Sequence, residues 1–448
     1  MMPLRPFRSG LVLACVALQA AAAQEPVTLS LGGAARLAAE RNAGPEAARV
    51  RVAQAEARVR QRKSEFLPTV TAAAVDNERT FNSASFGISF NDPVSGKSLF
   101  DPNGQVLGPV KTWDLRGTVK QNIYDPGSFA KLKAARATVT AYGADVGTAS
   151  QQAAAGAAVA YVRALRADAQ IAARLADSTL AAELLGIARD QLTVGTGIAL
   201  DVTRAQSQLS ATRSQLIAAR AERDRSHIEL ARAVGLPVGT PITLTDSLMA
   251  LPTAIAAPAE ADALARAGRS RSDLLALGEQ ATAAGLQLDA LHSEILPSVA
   301  LFADQGSTGK ATEHLLPTYT WGIAMSVPIF DGFRHEGRLD EQRAMMRELD
   351  VKRRDLAQQT AADVRAALLD LQAAREQLDA ATERVGFAEQ ELSQARDRFR
   401  AGVSGNADAI TASLALNAAR TQVVDARAAL QSARVALGRA QGTVTELP

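Results

Sequence analysis

The chain has 448 residues, of which 47% are hydrophobic and only 4% aromatic, and its formal net charge is +2. The balance of 49 basic against 47 acidic residues argues against a nucleic-acid partner, which a basic excess would mark. One cysteine, Cys15, and four scattered histidines (His227, His292, His314, His335) leave a chain without its leader no disulfide, no thiolate metal site and no ligand-spaced pair.

Residues 1–23 read as a signal peptide. Arg5 and Arg8 form a positive start, Leu11 to Leu18 an apolar stretch, and Ala21-Ala22-Ala23 a small-residue cleavage site. Cleavage is expected after Ala23. A lipoprotein box at Leu13-Ala14-Cys15 is the rival, but it leaves about five apolar residues where an apolar region of roughly 7–15 is usual. No later stretch approaches the ~18 consecutive apolar residues of a membrane helix. Any membrane span must therefore be a β-barrel.

The remaining chain repeats itself once. Phe66-Leu67-Pro68-Thr69-Val70 recurs as Ile295-Leu296-Pro297-Ser298-Val299, Asn122-Ile123-Tyr124-Asp125 as Pro328-Ile329-Phe330-Asp331, and Val194-Gly195-Thr196 as Ala401-Gly402-Val403. The offset is 229 from Pro68 to Pro297, 206 from Asp125 to Asp331 and 207 from Asp201 to Asp408. It changes once, so a loop between the Leu-Pro and Asp motifs is long in the first half (near 81–111) and short in the second.

The first repeat is read as 24–236. A helix near Pro45–Glu65 leads to two strands near 66–80 and 114–124 and a long helical hairpin over 128–234. Residues 237–258, with prolines 237, 241, 252 and 258, form a linker along the outside of the helical body. The second repeat, 259–442, has a helix, strands near 296–304 and 319–330, and a hairpin over 334–439; residues 443–448 are a tail. Period-2 alternation marks the strands. Trp321, Ile323, Met325, Val327 and Ile329 face one way, and Gly322, Ala324 and Ser326 the other. Leu115, Val119 and Ile123 alternate with Arg116, Thr118, Lys120 and Asn122. Apolar-out and polar-or-small-in is the pattern of a transmembrane barrel. Ser128–Thr193 and Arg334–Arg400 hold no proline, and a helix of that length spans ~100 Å. Leu356, Val364, Leu368, Leu371, Leu378, Val385 and Leu392 follow coiled-coil-like spacing.

These doubled motifs, with Leu29-Ser30-Leu31-Gly32-Gly33-Ala34 near the start, resemble the TolC family of outer-membrane efflux and secretion channels over nearly the whole chain beyond the leader. The resemblance implies a mainly α fold with a small β part. Long antiparallel helical hairpins of three protomers would form an α-barrel in the periplasm, joined to a shared 12-stranded transmembrane β-barrel with four strands from each. The function implied is the passive exit duct of a tripartite efflux pump or type I secretion system. Its partners would be a homotrimer, outer-membrane lipid, a periplasmic adaptor protein and an inner-membrane RND or ABC transporter.

No Gly-rich phosphate loop, metal spacing or supported Ser-His-Asp set occurs, so no catalytic residue, cofactor or metal is expected. Asp201 and Asp408 lie six residues past Gly195 and Gly402. Each suits a helix N-terminus, and three copies of either would make a carboxylate ring able to select cations. The motif match places Asp408 on the family's aperture acid. A second family acid falls on Thr411 here and an arginine on Ser404, so a gate built from Asp201, Asp408, Thr411 and Ser404 is expected to be less charged. The family's adaptor-docking turns fall on Val194, Gly195, Thr196, Ala401, Gly402 and Val403. The competing expectation is a periplasmic coiled-coil structural or adaptor protein without a pore, which explains the helices but not the alternating strands.

Overall fold

The computed structural model describes residues 26–86, 93–95, 104–253 and 256–447. The expected leader over 1–23, with Cys15 and the cleavage after Ala23, lies outside the described residues, as do residues 87–92 and 96–103 of the loop near 81–111.

Two repeats of the same elements follow one another. The first runs β1 (Val27–Leu29), α1 (Leu31–Arg41), α2 (Ala43–Ser64), β2 (Thr69–Asn82), β3 (Val106–Tyr124), α3 (Pro126–Val194) and α4 (Ala199–Val234). The second runs β4 (Ile242–Leu244), α5 (Glu260–Ser270), α6 (Ser272–Ser293), β5 (Ser298–Gly309), β6 (Leu316–Ser326), α7 (Arg334–Arg400) and α8 (Asn406–Gln441). The chain is mostly helical with a small strand part, as the resemblance implied.

The strands differ from their expected limits for local reasons. β3 starts at Val106, ahead of the alternation read from Asp114, because β2 pairs with it as far as Asn82–Val106. β6 ends at Ser326 rather than Phe330 because its partner β5 begins at Ser298, after Pro297, which has no N–H to give. The stretch 237–258 is not bare linker, since β4 lies within it and pairs in parallel with β1.

α3 and α7 carry 69 and 67 residues, about 100 Å each at 1.5 Å per residue. Next to the sheet the helices lie side by side in the order α2, α3, α6, α7; towards the glycine turns the order is α4, α3, α8, α7. The heptad reading locates the α7 seam: Val364, Leu371, Leu378 and Leu392 are all buried and repeat at multiples of seven. Small α1 and α5, with β1 and β4, form a second layer on the long helices. Tyr161 of α3 anchors it, its hydroxyl 2.9 Å from Leu29 O and 2.8 Å from the Asp246 carboxylate. Burial raises the Tyr161 pKa above its ordinary value, and the hydrogen bond to Asp246 adds to that.

Candidate functional site

Four antiparallel strands lie in the order β2-β3-β5-β6. In such a sheet, residues paired across strands share a face. One row is Val70, Val119, Ala303 and Trp321; the adjacent row is Thr71, Thr118, Asp304 and Thr320. The first face is apolar and open: Trp321, Ile323 and Met325 are 71%, 67% and 72% exposed. The second face carries Asp114, Arg116, Lys120 and Asp304. Arg116 bonds Asp304 across the strands, lies 3.4 Å from Asp114 and donates to Thr318 Oγ1 at 3.1 Å. Asp114, Arg116, Lys120 and Asp304 lie on one side and tryptophan and isoleucine on the other, which suits a wall between water and lipid. Towards the far end of the β2–β3 pair the apolar side also carries Asp76 and Lys111, 3.2 Å apart.

At the other end of the long helices, each hairpin turns on a left-handed glycine. Gly195 has φ 80° and Gly402 φ 70°, a region that side-chain-bearing residues enter at a cost. The helix-end carbonyls are closed by Thr196 N to Gln191 O and Val403 N to Arg398 O, both 3.0 Å. Val194, Gly195, Thr196, Ala401, Gly402 and Val403 are all exposed, with Val194 at 78% and Val403 at 71%.

The two aspartates have different surroundings despite their matched positions. Asp201 is buried in the first turn of α4, with Arg204 at 3.9 Å. Asp408 in the first turn of α8 is exposed, as is Thr411. Ser404 is half-buried, and its Oγ meets no partner among the described residues.

Two contacts that sequence reasoning missed tie the hairpins together here. Buried Asn406 donates from Nδ2 to Asp201 O at 2.6 Å, and Gln191 Nε2 donates to Phe399 O at 2.5 Å. Phe399 is itself buried. Nothing in a lone Gln or Asn signals such a link, because the acceptors are main-chain carbonyls 205 and 208 positions away. Farther up the seam, buried Asp177 of α3 faces Arg174 at 3.4 Å and Arg420 of α8 at 3.7 Å. Burial raises the Asp177 pKa, against the pull of both arginines.

Among the described residues no helix is long and apolar enough to cross a membrane, and no group of three or more His, Cys, Asp or Glu could hold a metal ion. A two-faced sheet on top of long helical hairpins defines an outer-membrane channel of the TolC type. The outer membrane efflux protein family model matches residues 34–236 and 263–443, and the chain belongs to that family. No curated protein sequence matches it. Among solved structures, it resembles the outer membrane protein VceC of Vibrio cholerae, with TM-score 0.70, 19% identity, and 92% of this chain and 96% of that one covered. It also resembles the CmeC outer membrane channel of Campylobacter jejuni (0.70, 16%, 92% and 85%) and the open state of the Neisseria gonorrhoeae MtrE outer membrane channel (0.68, 17%, 92% and 88%).

Proposed function

We propose that this outer membrane efflux channel is a homotrimer acting as the passive exit duct of a tripartite export machine. The two-faced sheet with two unpaired edges carries the reading. Among the described residues, β2 and β6 each have a strand on one side only, and open edges are not tolerated in lipid. Closure therefore needs further copies. Two copies give eight strands, an interior that side chains fill; three give twelve and the smallest ring with a passage.

The hairpin tips are the entrance. The exposed Asp408 supplies a ring of three carboxylates, with Thr411 one turn beyond. Asp201 and Ser404 support that ring from inside each protomer, and the Asn406 and Gln191 links hold the hairpins closed. The exposed turns at Val194–Thr196 and Ala401–Val403 are the docking points for a periplasmic adaptor. An inner-membrane transporter of the RND or ABC type supplies the energy.

Planar-bilayer recording tests the gate. Asp408→Ala should raise conductance and lower the preference for cations, and Asn406→Ala should raise conductance with cation preference kept. Wild-type behaviour of both variants, at normal trimer levels, would sink the gate. In-cell cross-linking and purification test the partners. An adaptor with a proton-driven transporter makes this a small-molecule efflux duct. An adaptor with an ABC transporter makes it a secretion or ATP-driven export duct. A periplasmic monomer without partners overturns the proposal.

A further inference from the structure

A cavity of about 650 Å³ opens where the segment after β4 crosses the long helices. Its walls come from residues 246–249, from α3 over 165–176, from α8 over 420–427, and from Thr382, Val385 and Glu389 of α7. The size is ordinary for a small-molecule site, about 300–1,000 Å³. Most of the lining is aliphatic, with Leu165, Leu248, Val385 and Val423 beside four alanines of α3.

The charged groups on this lining do not balance. Each carboxylate already has a partner. Asp168 lies 3.3 Å from His227 Nε2, Asp246 accepts from Leu31 N at 2.9 Å and from the Tyr161 hydroxyl at 2.8 Å, and Glu389 lies 3.9 Å from Arg420. Arg420 also faces Asp177 at 3.7 Å. Arg427 is the exception. It is half-buried, and among the described residues no carboxylate lies within 4.0 Å of it. Its Nη1 donates to Met249 O at 2.6 Å, while its Nε is buried and meets no acceptor. A guanidinium held out of water without a counter-ion is costly. The edge left free, Nε with Nη2, is one that can hold a carboxylate through two parallel hydrogen bonds.

We propose that this cavity binds an amphipathic anion, with its acidic head at the Arg427 guanidinium and its apolar body along Ala173, Val385 and Val423. The head supplies the counter-ion that the protein leaves out, and the body covers the aliphatic lining. A cationic amphiphile fits worse, because it leaves Arg427 unmatched and must take a carboxylate from His227 or Arg420. A ligand seated there touches α3 of the first hairpin, α7 and α8 of the second, and the second layer at once, so it ties the two hairpins together far from their glycine turns. The inference does not rest on the ring assembly, since one protomer supplies every lining residue.

Calorimetric titration of the full-length protein, held in a non-ionic amphipol, tests this with dodecanoate, dodecanol and dodecylammonium as probes. One saturable dodecanoate site per chain is expected, at least about tenfold tighter than either other probe, as one hydrogen bond to a charged group would give. Arg427→Gln should remove that preference. Ala172→Phe places bulk in the cavity at an exposed position and should abolish the site with every charge kept. Circular dichroism checks that both variants fold. No saturable dodecanoate site, equal binding of dodecylammonium, or wild-type affinity in either folded variant overturns the proposal. So does a wild type that binds no dodecanoate but co-purifies with a periplasmic protein that Ala172→Phe loses, because the cavity then belongs to a protein partner. A wild-type monomer that still binds dodecanoate supports the cavity and overturns only the ring.

Discussion

α4 and α8 hold matching places in the two repeats. Each has 36 residues and follows a glycine turn. Yet α8 lies between α3 and α7, while α4 ends the layer. α8 buries 18 residues, including Leu416, Leu430 and Val435, and α4 buries 9, four of them in a stripe from Ala205 to Leu216. Duplication copied the element; the fold then gave one copy two neighbours and the other one. The same asymmetry separates β6 and α7 from β2 and α2 at the outer edges. The burial of α4 and α8 records that division between an edge and an interior position.

The largest expected effect breaks this comparison directly. Leu430 of α8 is fully buried, whereas Ile217 of α4 is 67% exposed. Leu430→Ala should cost about 2–5 kcal/mol, through lost transfer energy and the cavity left behind. Ile217→Ala should stay within about 0.5 kcal/mol for the protomer and appear instead as easier separation of subunits. Heat unfolding by circular dichroism and native mass spectrometry in detergent read the two quantities. Equal unfolding costs would mean that α4 is not an edge.

A smaller effect comes from the starts of α3 and α7. Asp125 caps α3, accepting from Ser128 N at 3.0 Å, and α7 starts without a side-chain cap. Asp125→Ala removes a cap and should destabilise by about 1 kcal/mol. Asp331→Ala loses only a 3.7 Å contact with the exposed Arg334, and should cost a few tenths of a kcal/mol. Denaturant unfolding of both variants measures the gap. Matching losses would show that the start of α7 is capped after all.

Sequence pattern carried the repeat, the hairpins and the two-faced strands, because each rests on local periodicity. The seven-residue spacing of Val364, Leu371 and Leu378 appears as one buried line, and the alternation around Trp321 as one open face. What periodicity could not show was the environment of matched residues. Asp201 and Asp408 share a motif and a register, but one is buried and the other exposed. Their difference depends on Asn406, which reaches the Asp201 carbonyl. It also depends on the order α4, α3, α8, α7, which no local pattern specifies. The end of β6 was misplaced for a related reason. Its alternation continues to Ile329, but its partner within the chain stops at Ser298.

The smallest expected effect concerns pH and sets the buried seam against the sheet–helix corner. Burial raises the Asp177 pKa. Its folded form therefore holds a proton more tightly than the unfolded chain. That contribution to stability is fully present below the ordinary aspartate value and is lost as pH rises through the folded value. Glu294 has the opposite sign. Burial pushes its carboxyl up, but Lys131 at 2.9 Å and Arg338 at 2.5 Å outweigh this and hold it below the usual glutamate range. Its contribution is present above the ordinary glutamate value and is lost as pH falls through the folded value. Asp177→Asn should remove a fall in stability on the alkaline side of the ordinary carboxylate range. Glu294→Gln should remove a rise on its acid side. Unfolding temperatures measured across that range read both slopes. The comparison fails if both variants change the slope in the same direction, because the seam would then hold its carboxylate as favourably as the corner does.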